Sequence, residues 1–292
     1  MPASLRALRP PGKPGRAGRV QDLAIAYPPL LVLGLAAAGA LIGLVGGLLG
    51  IGGGVIAVPL LLELWSALAL PAAERTLLAV GTAQAVILLS ALVAARAHAR
   101  AGTIDAGVAR AWAPAMLAGA ALGLLAAPWI PPGPARLGFA LIAALLGVQL
   151  LLGGRFRLAA APPQGALGTL PPGLIGAASA ALGIGAGTLS GPVLSALGVP
   201  LGRAVGAGAV FNLVVAGPAV LAFAWQGLGR PGLPPDAVGY VALGATVLLA
   251  GPAMLVAPFA ARLSARLPVG LLRRVFALCL FGIALRLVAR GG

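Results

Sequence analysis

Apolar runs separated by short charged or proline-rich breaks fall at about 29–62, 76–95, 107–130, 135–152, 171–198, 203–226, 237–260 and 271–289. A helix needs roughly 20 apolar residues to cross the hydrocarbon of a bilayer, and most of these runs suit one crossing each. The pattern predicts an all-α, polytopic membrane protein with about eight transmembrane helices. The run 29–62 is too long for one plain span and too short for two. It predicts a crossing helix, a glycine break and then a shorter helical piece.

That break is duplicated. Leu41 to Leu61 reads L-I-G-L-V-G-G-L-L-G-I-G-G-G-V-I-A-V-P-L-L. Leu174 to Leu194, 133 positions later, reads L-I-G-A-A-S-A-A-L-G-I-G-A-G-T-L-S-G-P-V-L, and ten of the 21 residues are identical. The shared set includes Gly50, Gly52, Gly54 and Pro59, matched by Gly183, Gly185, Gly187 and Pro192. Ala79-Val80-Gly81 matches Ala204-Val205-Gly206, and Arg136 with Phe139-Ala140-Leu141 matches Arg273 with Phe276-Ala277-Leu278. The chain therefore divides into a basic tail (1–28), a first transmembrane repeat (29–152), a connector (153–170) and a second repeat (171–292). Four crossings per half make the repeats parallel and give broken Gly-rich helices within an eight-span protein. Glycine segments that re-enter without crossing leave an odd number per half and make the repeats inverted. Eight crossings is the preferred expectation.

Composition agrees with the pattern. The 292 residues are 60% hydrophobic and 9% charged, with mean hydropathy +1.06, where a soluble domain carries roughly 25% charged residues. Net charge is +15, from 20 Lys/Arg against five acids. A basic excess can signal nucleic acid, but these bases sit in short loops between apolar runs, so no nucleic-acid partner is expected. Arg6, Arg9, Lys13, Arg16 and Arg19 crowd the tail, where anionic headgroups of the lipid bilayer are the simplest partner. With eight crossings and the N-terminus inside, 13 of the 20 bases fall on the cytoplasmic side and 7 outside. The Arg262 to Arg274 loop runs against that count. Cys279 is the only cysteine and His98 the only histidine. No metal site, no disulfide and no catalytic constellation is visible, so an enzyme is not expected.

Three chemistries compete for the glycine segments. A dinucleotide fingerprint would need a strand before it and a soluble parallel sheet around it; both flanks here are membrane runs, and no cofactor is implied. Close helix packing suits the upstream glycines, as in Gly43-x3-Gly47. It does not account for Gly52-Gly53-Gly54 followed by Pro59. The third reading is a binding site: unwound glycine backbone exposes N–H groups, and a restarting helix points its positive end into the gap. Two such breaks, facing each other, would hold a small anionic substrate without any buried Lys or Arg. The candidate residues are Gly50, Gly52, Gly53, Gly54 and Pro59 in the first half and Gly183, Gly185, Gly187, Thr188, Ser190 and Pro192 in the second. Mid-span Thr82, Gln84 and Asn212 join them as ligands or interhelical hydrogen bonds. A non-transporting membrane scaffold or assembly factor is the alternative class, but it has no need of duplicated breaks. Nothing in the pattern specifies an oligomeric state.

On these residues the chain resembles the TauE/SafE sulfite exporter family, the toluene sulfonate uptake permeases. The resemblance rests on G-L-V-G-G-L-L-G-I-G-G-G-V-I-A-V-P-L-L-L at 43–62 and its degenerate copy at 173–195, with Ala79-Val80-Gly81-Thr82 and Gly102-Thr103-Ile104-Asp105 in support. It implies about eight spans from a four-span duplication, a bacterial inner-membrane location, and transport of sulfite, sulfonates or related organosulfur anions. The motif positions are Gly52, Gly53, Gly54 and Pro59, and Gly185, Gly187 and Pro192. Ala186 departs from the pattern by replacing the middle glycine of the second copy, which puts equal roles for the two halves in doubt.

Overall fold

The computed structural model describes residues 29–49, 53–67, 70–152, 166–264 and 269–289. The apolar runs become ten α-helices among them: α1 (Pro29–Leu49), α2 (Gly54–Leu64), α3 (Ala72–Arg100), α4 (Ala106–Ala126), α5 (Pro132–Leu152), α6 (Ala166–Leu182), α7 (Ala186–Ala196), α8 (Leu201–Gln226), α9 (Leu243–Ser264) and α10 (Val269–Ala289). Both long runs split as expected, into α1 with α2 and α6 with α7. The helix α6 begins inside the segment read as connector, and Pro171 and Pro172 lie within it. A two-residue antiparallel hairpin, β1 (Ala237–Val238) with β2 (Val241–Ala242), precedes α9.

Local signals set the helix ends. Asp105 caps α4, its Oδ1 accepting from Gly107 N at 3.0 Å and Val108 N at 3.1 Å. Gly102, at φ 64°, closes α3 in a reversed turn in which Thr103 N donates to His98 O at 3.1 Å and Gly102 N to Ala99 O at 3.2 Å.

Every long helix packs against one from the other half: α1 on α9, α4 on α6, α3 on α8 and α5 on α10. Small residues permit the closest approaches. A Cβ added to Gly39, Gly43 or Gly47 of α1 would overlap the carbonyls of Leu249, Ala253 and Ala257 of α9, taken in that order. Those two helices are therefore parallel. In the same way Gly119 and Gly123 of α4 press on Gly173 and Ala177 of α6. The central pair runs the other way: Gly81, near the start of α3, meets Phe223 near the end of α8, while Gly206 meets Thr103 just past the end of α3. Because α3 and α8 are equivalent in the two repeats, the halves are related as inverted copies. This is the inverted of the two arrangements left open by the sequence.

Direction also shows what the short helices do. Gly53 abuts Ile42, although eleven further residues of straight helix would separate them by about 16 Å. The chain thus folds back after α1, and α2 returns alongside α3 with Gly54 beside Ile87. Likewise α7 begins beside Gly208 and Asn212 and ends next to the start of α8. The breaks are reversals rather than kinks.

Among the described residues, three ion pairs join helix ends. Glu63 of α2 meets Arg286 of α10 at 3.3 Å, placing those two ends on one side. Glu74 meets Arg230 at 3.7 Å at one end of the α3–α8 pair, and Asp105 meets Arg203 at 3.6 Å at the other. The repeat alignment makes Asp105 and Arg230 equivalent positions, so acid and base exchange places between the two ends. Tyr240, 2% exposed in the hairpin turn, donates its hydroxyl to Glu74 Oε2.

The buried core is built largely of Ala, Val and Leu, whereas Leu33, Leu122, Leu221, Leu255 and Leu278 point outward. Outward leucines suit a lipid environment, where apolar surface carries no penalty. Six helices among the described residues are long and apolar enough to cross a membrane, and Gly54–Leu64 and Ala277–Ala289 are shorter apolar stretches.

Candidate functional site

The second break is the better furnished of the two. Gly183 and Gly185 adopt φ values of 71° and 93°, a region that only glycine enters without strain, and no helical pattern continues through Ile184. Breaking a helix leaves carbonyls without partners at one end and N–H groups at the other. Two buried amides meet those ends. Gln84 of α3 donates Nε2 to Ser179 O at 2.8 Å, with Ala180 O at 3.4 Å, at the carbonyl end of α6. Asn212 of α8 accepts from Gly187 N at 2.8 Å through Oδ1, at the amino end of α7. Thr188 closes the turn, its N donating to Gly185 O at 3.2 Å and its hydroxyl to Ile184 O at 3.3 Å.

Gln84 and Asn212 are not equivalents. The match of Ala79-Val80-Gly81 to Ala204-Val205-Gly206 sets Gln84 opposite Ala209 and Asn212 opposite Ile87. Both amides thus serve the second break, and Ile87 lies against Gly54 and Gly185 where a symmetric design would have a second Asn.

In the first break, Gly50 and Gly52 lie outside the described residues. Gly53 has ordinary right-handed geometry (φ −64°, ψ −6°) and accepts from Ile56 N at 3.1 Å and Ala57 N at 3.0 Å. Gly54 is where the halves touch: a Cβ there would overlap the Gly183 carbonyl and come within 2.8 Å of Ile184 O. The amino end of α2 therefore meets the carbonyl end of α6. Opposite helix ends attract, so at this contact the positive end of α2 faces protein carbonyls rather than open space. The expectation of two positive ends facing one gap is corrected to that extent.

The other expected residues separate into two groups. Ser190 is fully buried on α7 and its hydroxyl has no hydrogen-bond partner. Pro59 and Pro192 lie inside α2 and α7 rather than at the breaks. Each lacks the N–H of a normal helix turn, and in the second half the turn lies upstream of the proline, at Gly183 and Gly185. Thr82 is engaged elsewhere, its hydroxyl accepting from Ala242 N at 3.0 Å and tying α3 to the hairpin. Ser179 was not anticipated. It is fully buried, one turn before Gly183, with an unpartnered hydroxyl, and the signal for it was a serine where the first copy has Gly46. Beside Ser190, Gly191 is buried, yet no atom lies within 4 Å of where its Cβ would stand. Space is therefore left next to α7. The atoms nearest to a Cβ added at each described break glycine belong to Ile, Val, Thr and Asn side chains and to backbone.

The arrangement offers helix-end dipoles, neutral amides and hydroxyls around a junction of two reversals, which is chemistry for binding a small polar solute. Comparison with known proteins agrees with a membrane-transport role. The chain is 30% identical over 251 residues to a "Probable membrane transporter protein" of Haemophilus influenzae, covering 85% of this chain and 95% of that protein. No solved structure matches it. The model of the sulfite exporter TauE/SafE family matches residues 35–287, so the chain belongs to that family.

Proposed function

We propose that this membrane transporter moves a small anion of the sulfite or organosulfonate class through the junction between the two reversals. The observation that carries the reading is the second break itself. It combines left-handed glycines, an N–H end and a carbonyl end met by neutral amides, two unpartnered buried serines and open space at Gly191. Such a setting stabilises a desolvated anion through dipoles and hydroxyls. The atoms nearest the described break glycines carry no fixed charge, which suits an anion that must leave again. Gly53, Gly54, Gly183, Gly185 and Gly187 shape the junction, while Thr188, Ser190, Gln84 and Asn212 orient the solute or the helix ends that hold it. Nothing in this reading requires bond-making, so transport rather than catalysis is the activity.

In the same reading α3, α4, α5, α8, α9 and α10 make complete crossings of the bacterial inner membrane, and the α1–α2 and α6–α7 pairs re-enter from opposite sides. The basic tail lies on the cytoplasmic side.

Thermal unfolding of the purified chain with sulfite, sulfate, thiosulfate, taurine and sulfoacetate tests the proposal. At least one sulfur oxyanion is expected to raise the midpoint, with a stabilisation that grows logarithmically with its concentration and reaches about 2.7 kcal/mol at a hundred times its Kd. Gly191→Leu, which fills the space beside Ser190, is expected to remove that response while the protein still unfolds cooperatively. A flat response across the panel in wild type would reject an anion site and favour a scaffold.

A further inference from the structure

We infer that the junction selects an anion that carries its own hydrogen-bond donor, such as hydrogensulfite or a hydroxy- or amino-substituted sulfonate, with Gln84 Oε1 as the selecting acceptor. This rests on the anion-transport reading above. Gln84 is 0% exposed, and its Nε2 is held between Ser179 O at 2.8 Å and Ala180 O at 3.4 Å. Those carbonyls fix the orientation of the amide, because a flipped group would set Oε1 against two acceptors. The oxygen is left without a hydrogen-bond partner.

Its place on α3 sets Gln84 beside the junction. Val80, Gln84 and Ile87 fall at i, i+4 and i+7 on one face of α3. Val80 touches Gly183, and Ile87 touches both Gly54 and Gly185. Gln84 is thus bracketed by the two residues that line the reversals. The hydroxyls of Ser179 and Ser190 are also unpartnered, so neither serves Oε1.

A buried acceptor without a donor is costly, and a site built around one rejects ligands that cannot supply the donor. The unpartnered hydroxyls of Ser179 and Ser190 can donate to the oxygens of an oxyanion. Only a proton on the ligand satisfies Oε1. Sulfate and thiosulfate, which have no donor, would place a negative oxygen against it. The equivalent position in the other half is Ala209, which offers no second unpartnered amide, so one donor per ligand suffices.

Hydroxymethanesulfonate and ethanesulfonate make a matched pair, two monoanions of similar size that differ by a hydroxyl in place of a methyl. Calorimetric titration of the purified chain is expected to show hydroxymethanesulfonate binding at least about tenfold tighter. Sulfite affinity is expected to fall as pH rises through its second ionisation, near neutrality. Gln84→Met is expected to bring the matched pair within about threefold of each other while ethanesulfonate binding persists. Equal affinities in wild type would overturn the inference whether or not the variant folds, as would a preference that survives Gln84→Met. Binding of both sulfonates with no preference leaves the anion site standing. Absence of binding by every anion removes the anion site, and the selection with it.

Discussion

At the residue scale, the second reversal depends on backbone geometry that side chains disfavour. Gly185 stands at φ 93°, ψ 123°, where a Cβ is strained by about 1–3 kcal/mol. Gly185→Ala is therefore expected to lower the thermal midpoint measurably. Gly191→Ala, in a helix interior with open space before it, is expected to hold or raise it, since Ala exceeds Gly there by about 0.5–1 kcal/mol. Equal effects in the two unfolding curves would count against the reversal. A second residue-scale test lies at the hairpin. Burial, then the hydrogen bond and charge of Glu74, push the Tyr240 phenol up to about 12 against the opposing pull of Arg230. A raised folded-state pKa contributes stability that is complete below the ordinary value of about 10 and is lost as pH rises towards the folded value. Chemical denaturation is expected to show stability falling between those limits in wild type, and a shallower fall in Tyr240→Phe.

At the element scale, the decisive contact joins the amino end of α2 to the carbonyl end of α6. Gly54 permits it because a Cβ would occupy the position of the Gly183 carbonyl. Gly54→Ala must separate the two reversals or strain both, and overpacking of this kind costs about 1–3 kcal/mol. The expected outcome is a lower midpoint together with impaired anion stabilisation, read in the same melting experiment. Normal stability and normal response would show that the reversals do not need to touch. The glycine duplication announced a break in each half, because clustered glycines and a nearby proline are poor helix formers. It did not announce that the chain turns back, since a kink and a reversal share the same local composition. The amides were legible as unusual mid-span polar residues. Their assignment to the two ends of one break was not, because α3 and α8 come together with α6 and α7 only through interhelical packing.

At the scale of the whole molecule, inversion changes how the charges are counted. Following the helix directions, the tail with Arg75, Arg136, Arg230, Arg286 and Arg290 holds ten of the 20 bases. The other side holds ten as well, including Arg155 and Arg157 of the connector and Arg262 to Arg274. The Arg262 to Arg274 loop stays opposite the tail, so the totals carry no bias and the five clustered bases of the tail are the local orientation signal. An odd number of crossings in the first half would put the tail and connector on opposite sides, where four would put them together. Single-cysteine variants Ala24→Cys and Ala160→Cys, made with Cys279→Ser, are expected to react with an impermeant maleimide from opposite faces of oriented vesicles. Labelling from the same face would reject the inverted arrangement.

The amino-acid sequence by itself determined the class of this protein, the positions of its helices, the duplication and the two breaks. These follow from hydropathy and from the intrinsic dislike of glycine and proline for helix, which act over a few residues. Tertiary structure alone decided that the halves are inverted, that the short helices fold back, and that Gln84 and Asn212 attend one break while Ile87 covers the other. Those outcomes depend on which helix faces meet and in which direction. Small residues such as Gly43, Gly54 and Gly81 permit close contact without naming the partner.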